Sequence, residues 1–155
     1  MKERAHLTRA RVPVINLFSP EENKTPMRSR PVLILYVEEN RMLLQTVCDV
    51  LEFAGWYVKR CSDSFYAWAL LEQGEHFDLL LLDHELRGMS GTELARRARR
   101  LPHHRETPII LISLEDCGEE ARRAGADAFL RKPNNLIELV DTIRRLLVAP
   151  DSGEK

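Results

Sequence analysis

Apolar positions along this chain follow two alternating patterns: short unbroken runs, and stretches where they recur every three or four residues. The clearest runs are Val32-Leu-Ile-Leu-Tyr-Val37, Leu79-Leu-Leu-Leu82 and Ile109-Ile-Leu-Ile112, the last preceded by Pro108. An unbroken apolar run bounded by turn residues predicts a strand buried on both faces, the kind found in parallel sheets. Trp56–Cys61 predicts a more polar strand at an edge, and Ala126–Leu130 a fifth strand. Between the first two strands, Leu43, Leu44, Val47, Val50, Leu51 and Ala54 share one face of a helix, capped by Asn40 and closed by Gly55. The same periodicity predicts helices from Asp63 or Ser64 to about Gln73, over Thr92–Leu101 and over Glu115–Ala124. A last helix starts at Asn134 or Asn135 and runs to Leu147. Five strand–helix alternations predict an α/β fold, a doubly wound (βα)5 unit with a five-stranded parallel sheet covered on both faces.

Composition adds limits. A chain of 155 residues, 44% hydrophobic and 30% charged, suits one globular domain with a real core. The net charge of −1 hides an asymmetry: residues 1–30 carry seven Lys/Arg against three Glu, so the remainder carries the acidic excess. With Pro13, Pro20 and Pro26 and no helical or alternating period, 1–30 reads as a flexible basic extension. The domain then covers 31–149, with a polar tail at 150–155. Little chain follows Leu147, so a stand-alone domain is expected. No apolar run approaches the roughly 18 residues of a membrane span, and no signal-peptide core is evident. Cys48, Cys61 and Cys117 lack metal-ligand spacing and fit a reducing compartment. A cytoplasmic protein is expected.

The chemistry gathers where the strands end, the place where open α/β sheets bind ligands. The first strand ends on Glu38 and Glu39, the third on Asp83, the fourth on Ser113 and the fifth on Lys132. Carboxylates brought together repel one another, and a hard divalent cation that keeps its waters, such as Mg2+, relieves that repulsion. Lys132 offers a positive charge and Ser113 a hydroxyl donor, which a phosphoryl group on a neighbouring carboxylate requires. A carboxylate can itself be the nucleophile. These residue types suggest a Mg2+-assisted phosphoryl acceptor centred on Asp83.

With those residues placed, the chain from about Val32 to Leu147 resembles the receiver domain of bacterial two-component response regulators. The likeness rests on an acidic pair after the first strand, Asp after the third and a hydroxyl after the fourth. Gly91 and the run Gly125-Ala-Asp-Ala-Phe-Leu-Arg-Lys-Pro133 complete it. The resemblance implies the flavodoxin-like strand order 2-1-3-4-5 and a signalling module rather than an enzyme. It implies that Asp83 takes a phosphoryl group from a histidine kinase or phosphotransfer protein. It further implies Mg2+ held by Glu38, Glu39, Asp83 and the Glu85 main-chain carbonyl. Ser113 and Lys132 would bind the phosphoryl oxygens, Phe129 would be the aromatic switch, and the Lys132–Pro133 bond would be cis. A downstream protein target is the implied output, a homodimer is open, and neither nucleic acid nor membrane is an expected partner.

The chain also departs from that pattern. Glu39 stands where the family has Asp and reaches one methylene further. Leu114 replaces a small residue and is expected to crowd the phosphoryl site. Arg87 replaces Pro, His84 is expected to face solvent, and the fourth helix looks about one turn short. The run Arg96, Arg97, Arg99, Arg100, His103, His104 and Arg105 reads as a solvated helix face. Glu39 and Leu114 motivate an alternative, a degenerate receiver that binds partners without phosphorylation. A flavin- or nucleotide-binding domain of similar architecture is disfavoured, because acids stand where a glycine-rich phosphate loop would be.

Overall fold

The computed structural model of the chain describes residues 30–148, so the expected extension at 1–30, apart from Arg30, and the expected tail at 150–155 lie outside the described residues. Five strands, β1 (Leu33–Val37), β2 (Tyr57–Cys61), β3 (Leu79–Asp83), β4 (Ile109–Ser113) and β5 (Ala128–Arg131), form one parallel sheet. Their order is β2-β1-β3-β4-β5, the flavodoxin-like arrangement. Helices α1 (Arg41–Phe53), α2 (Ser64–Glu72), α3 (Gly91–Arg100), α4 (Gly118–Arg123) and α5 (Leu139–Leu147) alternate with the strands.

Side chains alternate across each strand, so one apolar run feeds two cores. Leu35, Val37, Leu80, Leu82, Ile109 and Leu111 face the layer with α2, α3 and α4. Ile34, Tyr36, Leu79, Leu81, Ile110 and Ile112 face the layer with α1 and α5. The three central strands are almost wholly shielded from solvent, and each such leucine or isoleucine contributes about 1.5–3 kcal/mol relative to exposure. β2 pairs only with β1 and keeps half-exposed positions, as expected for an edge. The Tyr36 hydroxyl is buried without a hydrogen-bond partner. No helix among the described residues is long and apolar enough to cross a membrane.

Several boundaries differ from the sequence reading. Asn40 and Asp63 do cap α1 and α2, accepting from the N–H of Leu43 and Tyr66. Val50 faces solvent, and Cys48 takes its place in the core. The segment after β4 does not enter a helix at Glu115, because the Ser113 hydroxyl accepts the Glu115 N–H and turns the chain. α4 therefore begins only at Gly118 and has six residues. Residues 134–138 form a 3-10 turn rather than an asparagine-capped α-helix, and α5 proper starts at Leu139.

The end of the sheet opposite the site is closed by Arg99. Its guanidinium donates to the carbonyls of Gly125 (3.0 Å), His104 (3.2 Å), Arg105 (3.1 Å) and Thr107 (2.5 Å), and to the Asp127 carboxylate (2.7 Å). Asp127 in turn accepts the N–H of Ile109 at 2.8 Å. The expected basic face is thus mostly committed to the protein itself. Arg96 and Arg97 pair with Glu93, Arg97 lies over the Trp68 ring, and His104 is fully buried.

Candidate functional site

Strand register assembles the site. Val37 lies beside Leu82 and Asp83 beside Ile112, so Glu38, Asp83 and Ser113 emerge at one end of three neighbouring strands. Ser113 lies beside Arg131, which brings Lys132 to the same rim, and the Lys132 N–H donates to the Ser113 carbonyl at 2.7 Å. The Lys132–Pro133 bond is cis, as the resemblance implied.

Lys132 is the hub. Its buried ammonium lies 3.0 Å from Asp83 Oδ1 and 3.4 Å from Glu38 Oε2, with Glu85 Oε2 at 3.9 Å. Burial works against this ammonium, but the contacts with Asp83, then Glu38 and Glu85, more than offset it and raise its pKa. The Asp83 carboxyl is likewise pushed up from the ordinary carboxylate range, to about 7. Burial raises its pKa, the neighbouring Glu85 carboxylate raises it further, Lys132 pulls it back, and Glu38 adds to the rise. Glu85 is held below the usual carboxylate range. Burial opposes that, but hydrogen bonds from the Asp83 carboxyl, the Ser113 hydroxyl and the Leu114 N–H outweigh it.

The three acids around Lys132 are not the three expected. Glu38 points inward, with its other oxygen accepting the Asn40 N–H at 2.8 Å. Glu39 turns away: it accepts the Arg87 N–H at 2.5 Å and pairs with the Arg87 guanidinium at 3.5 Å. Its place is taken by the side chain of Glu85, of which the sequence reading used only the main-chain carbonyl. Glu85 Oε1 accepts the Ser113 hydroxyl at 2.6 Å and the Leu114 N–H at 2.8 Å. An acid two residues beyond Asp83 was visible in the sequence, but its direction depended on donors supplied by β4. Leu114 does not crowd the site, because its side chain is largely exposed. His84 is half-buried rather than solvent-facing, with Nδ1 at 3.4 Å from the Thr92 hydroxyl and outside the Lys132 cluster.

The loop after Asp83 is held closely. A Cβ at Gly91 would come within 2.1 Å of the Asp83 carbonyl oxygen, so only glycine lets α3 start against the strand end. The Ser64 hydroxyl donates to the Arg87 carbonyl at 2.9 Å, tying the loop to α2. Phe129 is half-buried against the α2–α4 core, and its ring packs on Gly118, where a Cβ would meet Cδ1 at 3.3 Å. Burial raises the pKa of all three cysteine thiols, so they read as small apolar groups rather than reactive thiolates.

Glu38 and Asp83 are buried oxygen donors from adjacent strand ends, and one ammonium is shared among too many carboxylates. That donor set fits a Mg2+ ion, which binds through one or two carboxylates and keeps several waters. It is not a closed cage. Among the described residues, no three His, Cys, Asp or Glu side chains converge as a metal-binding group.

A family profile described as the response regulator receiver domain matches residues 34–144. The chain is 54% identical over 80 residues to the cyclic di-GMP phosphodiesterase response regulator RpfG of Xanthomonas campestris, a match covering 50% of this chain and 21% of that protein. It is 32% identical over 124 residues to the phosphate regulon transcriptional regulatory protein PhoB of Pseudomonas aeruginosa, covering 78% of this chain and 54% of that one. The chain therefore spans less than two thirds of either relative. Among solved structures, the chemotaxis response regulator CheY4 of Vibrio cholerae superposes with a TM-score of 0.69 at 28% identity, covering 76% of this chain and 99% of that one. The receiver domain of the sensor histidine kinase PA1611 of Pseudomonas aeruginosa, solved with a magnesium ion in its active-site cleft, gives 0.67 at 28% identity. That alignment covers 77% of this chain and all of the other.

Proposed function

Since the chain belongs to the response regulator receiver family, we propose that it accepts a phosphoryl group on Asp83 and signals through protein contact. The supporting observation is the convergence of Asp83, Glu38, Ser113 and Lys132 on one end of the sheet. In this reading an Asp83 carboxylate oxygen attacks the phosphorus of a phosphohistidine on a histidine kinase or phosphotransfer protein. The P–N bond breaks, and the imidazole leaves with the electron pair. Lys132 stays at Asp83 and neutralises the incoming charge, while Ser113 turns its hydroxyl to a phosphoryl oxygen. Glu38, Asp83 and the Glu85 main-chain carbonyl would hold Mg2+, and Glu39, which pairs with Arg87 in this structure, would be a further ligand. The ion supplies charge neutralisation between carboxylates and phosphoryl oxygens.

Phosphorylation adds about −1.5 to −2 charge beside Ser113 and Lys132. The β4–α4 loop and the face bearing Phe129 and the short α4 then carry the change to a downstream protein in the cytoplasm. A second copy of the chain is a further candidate for that face. A second reading, an interaction module that needs no phosphorylation, draws on the engagement of Glu39 by Arg87.

Intact mass after incubation with Mg2+ and phosphoramidate separates the two readings. The wild type is expected to gain one phosphoryl and Asp83→Asn none. No gain in either would favour the module.

A further inference from the structure

We infer that the Glu85 carboxylate is a built-in occupant of the phosphoryl-oxygen pocket, which an arriving phosphoryl group must displace. The inference rests on the receiver reading and concerns how that site is gated. Its basis is a set of donors already in use. The Ser113 hydroxyl has one proton, and it goes to Glu85 Oε1 at 2.6 Å. The oxygen of that hydroxyl is fixed in turn by the Glu115 N–H at 3.0 Å. The Leu114 N–H, also a single donor, goes to the same Glu85 oxygen at 2.8 Å. Lys132 Nζ lies 3.9 Å from the other oxygen. A phosphoryl group on Asp83 would call on these same donors.

Two anions cannot share them. The Ser113 hydroxyl and the Leu114 N–H hold one proton each, and a carboxylate beside a phosphoryl group would repel it. Glu85 can leave. Its side chain is 32% exposed and stands on the loop between β3 and α3, so swinging it into solvent disturbs no core residue. Lys132 and Asp83, at 8% and 3%, have no such route. An anionic, hydrogen-bonded and releasable side chain at the pocket mouth slows phosphoryl entry. It also holds Ser113 and the start of the β4–α4 loop in a liganded arrangement before any phosphoryl arrives.

The test compares wild type, Glu85→Ala and Glu85→Gln. One readout is the rate of phosphorylation by phosphoramidate at saturating Mg2+; the other is the amide NMR signal of Leu114. Alanine keeps the main-chain carbonyl of residue 85, each variant is assayed at its own saturating Mg2+, and an unchanged far-UV circular dichroism spectrum serves as the control for folding. Glu85→Ala is expected to be phosphorylated about tenfold faster, ~1.4 kcal/mol of barrier. Glu85→Gln, which keeps an acceptor oxygen without the charge, should fall between. The Leu114 amide should move upfield in Glu85→Ala, having lost a charge-assisted bond. Addition of beryllofluoride should shift it strongly in that variant and little in wild type, where one anionic acceptor replaces another. A variant phosphorylated no faster than wild type, with the Leu114 signal unmoved, overturns the gate and leaves the receiver reading intact. If neither wild type nor variant takes a phosphoryl, both fall together. Phosphorylation of the variant alone supports the gate in its strongest form.

Discussion

Asp83 sits among more negative charge than one lysine balances. Glu38 and Glu85 share the same ammonium, and the Asp83 side chain is almost fully shielded from water. Removing one of these charges should relieve the fold. In EDTA, Asp83→Asn is expected to melt about 2–4 °C above wild type by calorimetry, and a clear fall would mean that the Lys132 contact outweighs the crowding. At this scale the sequence was informative wherever a strand end dictated position. Glu38, Asp83, Ser113 and Lys132 meet because their strands stop at one level. It was silent where a rotamer decided the outcome. The Glu39 carboxylate faces away from Lys132 and the Glu85 carboxylate toward it because the Arg87 N–H holds the first and Ser113 with Leu114 hold the second. Neither set of donors is sequence-adjacent to the acid it holds, except through a loop whose path depends on Gly91.

At the scale of elements, unbroken apolar runs identified the three central strands, shorter mixed segments the two outer ones, and three- and four-residue spacing the helices. Ends were harder, since a single hydroxyl or a 3-10 turn moved them. The turn at Pro102–His104, after α3, is the instructive case, because its histidines read as part of a solvated basic face. His104 is instead fully buried. Its Nε2–H donates to the Glu75 carbonyl at 3.0 Å, which leaves Nδ1 as an acceptor for the Thr107 hydroxyl at 3.1 Å. The neutral ring satisfies both partners. Burial lowers its pKa, and the neighbouring His103 and His76 lower it further against the Glu75 contact. A histidine with a depressed pKa contributes stability that is complete above its unfolded value of about 6.5 and is lost as pH falls below it. The melting temperature should therefore decline from pH 7 toward pH 5.5, at up to about 1.4 kcal/mol per pH unit from this group. His104→Gln, although less stable at pH 7, should show a shallower decline.

Taken whole, the molecule has two unlike ends. One rim collects acids around a single lysine, and the other is bound by a single arginine to four carbonyls and a carboxylate. A lysine at position 99 would present one point charge with three donors in place of a planar fork. Arg99→Lys is expected to cost about 2 kcal/mol, a drop in Tm of roughly 6–8 °C, while leaving phosphoryl uptake at Asp83 unchanged. Urea denaturation and the intact-mass assay check the two halves of that statement. The division follows from the topology. Parallel strands put all their carboxyl ends on one side, so chemistry and scaffolding separate along the strand direction.

The contact between Gly91 and the main chain of Asp83 carries a consequence of another kind. Surface loops ordinarily accept insertions and deletions between relatives. Here α3 is seated on the carbonyl of the acid itself, and the Gly91 N–H donates to the carbonyl of His84 at 3.2 Å. Adding or removing a residue between them would push a side chain into that seat or pull the helix off it. The span from Asp83 to Gly91 is therefore a ruler of fixed length. Exchanging one residue for another along this loop, as at Arg87, leaves that length intact, whereas an inserted or deleted residue is expected to unseat α3.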